Sequence, residues 1–161
     1  MNKLYFFAMI TVVILSGCQA ENRFTNEMDK TISSYILEYN QSVYTSTDVQ
    51  FEAHKVYGAS EENGTISVYL YSLYQGFNRE TKAEAQSGHS MPLLIKLQKD
   101  GNSYQVIDYI EPMNGDYYKE SINEMFPKKY ARQALSETGN ASKLKNEIKT
   151  KVEEWLKRGP K

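Results

Sequence analysis

The stretch Asn63-Gly64-Thr65-Ile66-Ser67-Val68-Tyr69-Leu70-Tyr71 decides the fold. Asn63-Gly64 supplies the two positive-φ positions of a tight hairpin turn. Ile66, Val68 and Leu70 then alternate with Ser67, Tyr69 and Tyr71, the period of two of a strand, which runs on to about Gln75. A turn of this kind needs a strand before it as well. Val49, Phe51 and Ala53 alternate with Gln50, Glu52 and His54, and predict a half-buried strand to about Tyr57.

Downstream, residues 76–88 show no apolar period and read as a mobile or bent connection. Met91, Leu93, Ile95 and Leu97 alternate in a third strand. Pro92 cannot donate to a ladder, so that strand is expected to be an edge or bulged there. Asp100-Gly101 makes a second turn, and Tyr104, Val106, Asp108 and Ile110 alternate in a fourth strand that Pro112 stops. Upstream, Thr25 or Asn26 can cap a helix whose stripe is Met28, Ile32, Tyr35, Ile36 and Tyr39, ending near Asn40. One helix followed by four strands in hairpin order predicts the α+β class, with the helix packed on a four-stranded antiparallel sheet. That plan resembles the cystatin-like and NTF2-like folds, a likeness of topology without functional content.

C-terminal helices are expected from about residue 116. Tyr118, Ile122, Met125 and Phe126 make a short amphipathic helix closed by Pro127, and Tyr130, Ala131, Ala134 and Leu135 suggest a further turn or two. Leu144, Ile148, Val152, Trp155 and Leu156 form the seam of a last helix, expected to dock on the open sheet face rather than on a partner. The charge is uneven. Residues 19–111 carry 13 acidic and 7 basic side chains, whereas residues 112–161 carry 7 and 11. The basic excess reads first as the solvated face of a Lys/Glu-rich helix, and alternatively as a tail drawn to anionic headgroups or wall polymers. Its density is below that of a nucleic-acid binder, so no nucleic-acid partner is expected.

The N-terminal end reads as an address. Met1-Asn2-Lys3 is a short positive region, and Leu4–Leu15 is an apolar run too short to span a bilayer. Leu15-Ser16-Gly17-Cys18 closes it and resembles the lipobox of bacterial lipoproteins. That resemblance implies a signal peptide over 1–17 and lipidation of Cys18; the polar run Gln19–Arg23 reads as a tether over 18–24, and the remaining length suits a single domain over 25–161. It also implies attachment to the extracytoplasmic face of the cell membrane. Cys18 is the only cysteine, so its acylation would exclude disulfides, thiolate metal sites and cysteine nucleophiles from the mature domain.

A second resemblance covers about a third of the chain. Met91-Pro92-Leu93-Leu94-Ile95, Asp100-Gly101, Val106-Ile107-Asp108-Tyr109, Glu111-Pro112, Gly115-Asp116-Tyr117-Tyr118, Ile122 and Phe126-Pro127 carry it. In these the chain resembles small extracytoplasmic modules of Gram-positive bacteria, found as lone lipoproteins or appended to membrane sensors. It implies a sensory or binding role and brings no catalytic residues.

Chemistry is sparse. The chain has no Gly-rich phosphate loop, HExxH, GxSxG or calcium-loop run. Its two histidines, His54 and His89, fall on separate strands without further ligand spacing, so no metal and no cofactor are expected. The one enzymatic pairing the pattern offers is His89 with Asp108 as acid and base in a concave sheet face, with Tyr69 and Tyr71 as hydroxyl donors. The plainer reading pairs Asp108 with a backbone amide or tyrosine at its strand end. Glu111, Asp116, Tyr117 and Tyr118 make the segment after the fourth strand a candidate for contacting a protein or cell-wall ligand, or else a simple connector. The expected function is a non-enzymatic, lipid-anchored binding or sensory accessory. Alternatives are a small NTF2-like enzyme using His89 and Asp108, and an inhibitor or immunity lipoprotein.

Overall fold

The computed structural model describes residues 24–137 and 141–159; the leader, Cys18 and most of the tether lie outside the described residues. The chain is α+β. Helix α1 (Asn26–Val43) is followed by strands β1 (Val49–Glu62), β2 (Thr65–Phe77), β3 (Ala85–Asp100) and β4 (Ser103–Ile110). A 3-10 turn (Gly115–Tyr117) leads into α2 (Tyr118–Met125), α3 (Lys128–Glu137) and α4 (Ser142–Lys157). The strands form one antiparallel sheet in the order β1-β2-β3-β4, an arrangement consistent with the cystatin/NTF2-like plan.

Thr25 caps α1, its hydroxyl accepting from the Met28 N–H at 3.2 Å. Met28, Ile32 and Ile36 at helical spacing pack on one face of the sheet, against Ile66, Val68, Leu70, Leu93, Ile95 and Leu97. The opposite phase of β2 contributes Tyr69, Tyr71, Leu73 and Phe77 to the other face. There Leu144, Ile148 and Val152 of α4 cover Tyr71, Leu73 and Phe77, while Ile122, Phe126, Ala131 and Ala134 of α2 and α3 cover Tyr69. The last helix therefore docks within the domain, and β2 is enclosed on both sides. Tyr71 is only 2% exposed, because the helices bury the rings that alternation alone would leave at a wet surface.

Three boundaries differ from the sequence expectation. The helix runs three residues past Asn40. Strand β1 continues five residues past Tyr57 through a bulge, at which the register passes from Val56 opposite Leu70 to Gly58 opposite Tyr69. The bulge interrupts side-chain alternation while the backbone ladder goes on, so the apolar period understates the strand. Strand β3 begins at Ala85, six residues before Met91, because Ser87, Gly88 and His89 pair with Gly76, Gln75 and Tyr74 through backbone groups that need no apolar pattern. The connection is thus only residues 78–84. Pro92 pairs with Tyr71 on the β2 side and lies beyond the β4 ladder, which starts at Leu94, so the unavailable N–H costs nothing.

Three backbone positions depend on their residue type. Asn63 and Gly64 take φ of 52° and 79°, as the hairpin turn requires. Gly88 has φ of 144°, and a Cβ there would run into the Tyr74 carbonyl oxygen. Gly88→Ala is expected to destabilise the protein by about 1–3 kcal/mol, read as a lower denaturant midpoint; an unchanged midpoint would show that the edge of β3 yields freely. At the other end of the connection, Arg79 closes α4. Its guanidinium donates to the carbonyls of Trp155 (3.4 Å) and Gly159 (2.5 Å) and lies 4.4 Å from the Trp155 ring centre.

Candidate functional site

Two groups of residues stand out, one inside the domain and one at its end. The first is a polar seam where α1 crosses β1, β2 and β3. Glu52 and His54, two apart on β1, share the phase that faces the helix. Helix positions Asp29 and Ser33, one turn apart, meet them. The Ser33 hydroxyl donates to Glu52 Oε1, and Glu52 Oε2 lies 3.1 Å from His54 Nδ1. Asp29 Oδ1 is 3.2 Å from His54 Nε2 but off the ring N–H direction, so it acts through its charge. The His54 and Glu52 side chains are 5% and 4% exposed.

Burial alone would push Glu52 up, but the hydrogen bond and charge of His54, the Ser33 hydroxyl and Lys151 outweigh it and hold the carboxyl below its ordinary range. Burial alone would push His54 down; Glu52 and then Asp29 reverse that and raise it. Each partner of this buried pair favours the charged form of the other, and through Ser33 and Asp29 the pair joins the first helix to the edge strand. Lys151 of α4 reaches the same strand from the other side, its ammonium donating to the Glu52 carbonyl at 2.8 Å.

The seam continues across the sheet. His54 stands opposite Ser72 on β2, and the Ser72 hydroxyl lies 3.0 Å from His89 Nε2 on β3. The two histidines of the chain, 35 positions apart, thus flank one serine. Their states differ. Burial pushes His89 down to about 4, with an opposing pull from Glu52, so its ring favours the neutral form where the surroundings of His54 favour the charged one. Its ring stacks near Tyr74 and Tyr44, with centroids 5.8 and 5.9 Å away.

The second group lies where the C-terminal half of α1 meets β4. Tyr35, Tyr39 and Tyr109 form a ring cluster, Tyr39 and Tyr109 having centroids 4.4 Å apart. Asn40, fully buried, donates through Nδ2 to the Ile36 carbonyl (2.7 Å) and, at the long distance of 3.4 Å, to the Tyr109 hydroxyl. Glu111 follows β4 immediately, close enough that its charge bears on the hydroxyls of Tyr44 and Tyr109. Partial burial raises Glu111 itself.

His89 and Asp108 are not brought together. His89 faces α1, whereas Asp108 lies across from Lys96 and pairs with its ammonium at 3.1 Å on the opposite face. The reason is a bulge in β4: Leu97 is opposite Val106 and Lys96 opposite Asp108, leaving Ile107 as the extra residue. That residue removes Asp108 from the phase of Val106, on which its expected inward position rested. Tyr69 and Tyr71 lie on the helical face away from His89, their hydroxyls bound to Ser60 and Ser90.

The segment after β4 also divides. Glu111 joins the tyrosine cluster, Asp116 and Tyr117 are exposed on the 3-10 turn, and Tyr118 packs inward beside Ile122 and Phe126. Among the described residues no three His, Cys, Asp or Glu side chains group as metal ligands. Glu52, Asp29 and Ser33 escaped the sequence reading because Glu52 lay on the polar phase of a strand taken to be half-buried. A histidine and a glutamate two apart on that phase, below a helix carrying Asp and Ser one turn apart, is the signal that could have found them. Compared with protein-family models, with curated proteins and with solved structures, the chain gives no match.

Proposed function

We propose that the protein is a lipid-anchored extracytoplasmic accessory that binds a partner at the end of the domain formed by α1 and β4. One observation carries the reading. Among the described residues the exposed large apolar side chains are Tyr39, Val43, Ile107, Met113 and Tyr117, and they fall on the C-terminal half of α1, on β4 and on the connector behind it. Apolar surface gathered on adjoining elements marks an interaction site. The buried Glu52–His54 pair, by contrast, is enclosed by α1 and serves to hold that helix on the sheet.

The placement suits a tethered protein. Helix α1 runs antiparallel to β1, with Asp29 near His54 and Ser33 near Glu52, so its first turn lies towards the Asn63-Gly64 turn and its last turn at the opposite end. A tether over 18–24 would enter at the first end and extend no more than about 25 Å. The helix, at 18 residues, would carry the apolar end roughly 27 Å further out.

Mass spectrometry of the membrane fraction is expected to find a lipidated Cys18 as the N-terminus. Crosslinking from position 113 or 117 in intact cells is expected to yield one stoichiometric partner. A soluble chain retaining Met1, or crosslinks no more specific than those from an exposed position on α4, would overturn the proposal.

A further inference from the structure

We propose that the outer end of the domain is a cradle for a cationic side chain, an ammonium or guanidinium carried on an extended segment of a partner protein, held against Tyr39 and Tyr109 with Glu111 as its counter-ion. This rests on the partner-binding reading above and adds the chemistry of what is bound.

Four separate features of this end favour positive charge. The Glu111 carboxylate, two residues after Tyr109, has no cationic partner within ion-pair distance among the described residues, and its charge bears on the Tyr44 and Tyr109 hydroxyls. The C-terminus of α1, the negative end of an 18-residue helix, lies at the same place, and its last turn holds no basic residue. Fully buried Asn40 leaves its oxygen Oδ1 without a donor, and its orientation is set by the bond from Nδ2 to the Ile36 carbonyl. Tyr39 is 37% exposed, and its ring, packed on Tyr109 and Tyr35, carries the negative quadrupole that attracts cations. The end combines a carboxylate, a helix C-terminus and aromatic rings, with no basic residue in the last turn of α1.

The occupant is a protein segment because of what adjoins the cradle. Among the described residues strand β4 is the last of its sheet, with no strand paired on its outer side, which offers a ladder to an extended chain. Ile107, on the bulge, is 47% exposed, and Val43 and Met113 are 55% and 52% exposed. These apolar groups suit residues flanking the cation. Glu38, exposed on α1 beside Tyr39, adds negative charge at the rim.

The test uses a capped ten-residue peptide of alternating arginine and valine, and the same peptide with neutral citrulline in place of arginine. Binding is followed by NMR through the ring signals of Tyr39 and Tyr109 and the side-chain amide of Asn40. The arginine peptide is expected to shift these signals saturably and the citrulline peptide to leave them in place. Glu111→Gln, at an exposed position, is expected to keep the fold and weaken binding about tenfold. Glu124→Gln, an acid on α2, is expected to change it less than about twofold. Equal loss in both variants would reduce the effect to net charge and overturn the cradle, as would unchanged affinity in Glu111→Gln or shifts that map elsewhere. If no peptide binds while the crosslinked partner persists, the cation inference falls and the accessory reading stands. If the peptide binds at the cradle but no partner is crosslinked, the accessory reading falls.

Discussion

Glu52→Ala is expected to lower the unfolding free energy by about 3–5 kcal/mol, because it removes one half of a buried ion pair and leaves the other half unpaired. His54 would keep only Asp29, which is 54% exposed and poorly aligned with the ring N–H, and the Ser33 hydroxyl would lose its acceptor. The loss should be read by urea denaturation at pH 6.5 with the slope unchanged. The paired change Glu52→Leu with His54→Leu should recover much of it, since neither variant side chain then leaves a charge in an apolar place. A Glu52→Ala variant within about 1 kcal/mol of the original protein would show that the pair is solvated and holds α1 no better than a surface salt bridge.

The second large effect is a stability maximum near pH 6.5, produced by two histidines displaced in opposite directions from the same ordinary value. His89, lowered to about 4 in the folded state, stays neutral while the unfolded chain takes up its proton. Stability is therefore lost as pH falls from 6.5 towards 4, by on the order of 3 kcal/mol. Glu52, held low, adds a further loss as pH falls below 4.5 through its folded value. His54 is raised, so its contribution is complete below 6.5 and disappears as pH rises through its folded value. Burial lowers both rings, and the carboxylates that oppose it face them from two elements, Asp29 on α1 and Glu52 on β1. Ser33 of α1 bonds Glu52, and Ser72 of β2 and the rings of Tyr44 and Tyr74 lie against His89. Denaturation across pH 4–9 should show both limbs. His89→Gln should flatten the acid limb and His54→Gln the alkaline one; a variant profile parallel to the original would refute the assignment for that residue.

The order of the elements was readable in the chain because local patterns encode it. The Asn63-Gly64 turn with its flanking alternation, the Met28–Ile32–Ile36 stripe and the Leu144–Ile148–Val152 seam each depend on residues close in sequence. Boundaries were less readable where backbone pairing outlasts the side-chain pattern. The bulge at Tyr57 and the small residues Ala85, Ser87 and Gly88 keep a ladder going with no apolar period to announce it. Asp108 shows the larger consequence. A single inserted residue, Ile107, moves it off the phase of Val106 and gives it to Lys96.

The sequence by itself determined the α+β class, the hairpin order and the turn positions, since propensity and periodicity act over a few residues. Only the tertiary structure decided which polar residues meet. Glu52 and His54 alternate as an exposed edge strand would, and become a buried charged pair because α1 lies across them with Asp29 and Ser33 in reach. His89 is neutral, and separated from Asp108, because the sheet sets it beside Ser72 under the helix while the β4 bulge turns Asp108 to the other face. Likewise the Glu111 charge comes to bear on Tyr44 and Tyr109 only when β4 ends beside the last turn of α1. Such meetings depend on how faces stack and where a strand slips by one residue, and neither is encoded in the local spacing of the groups that meet.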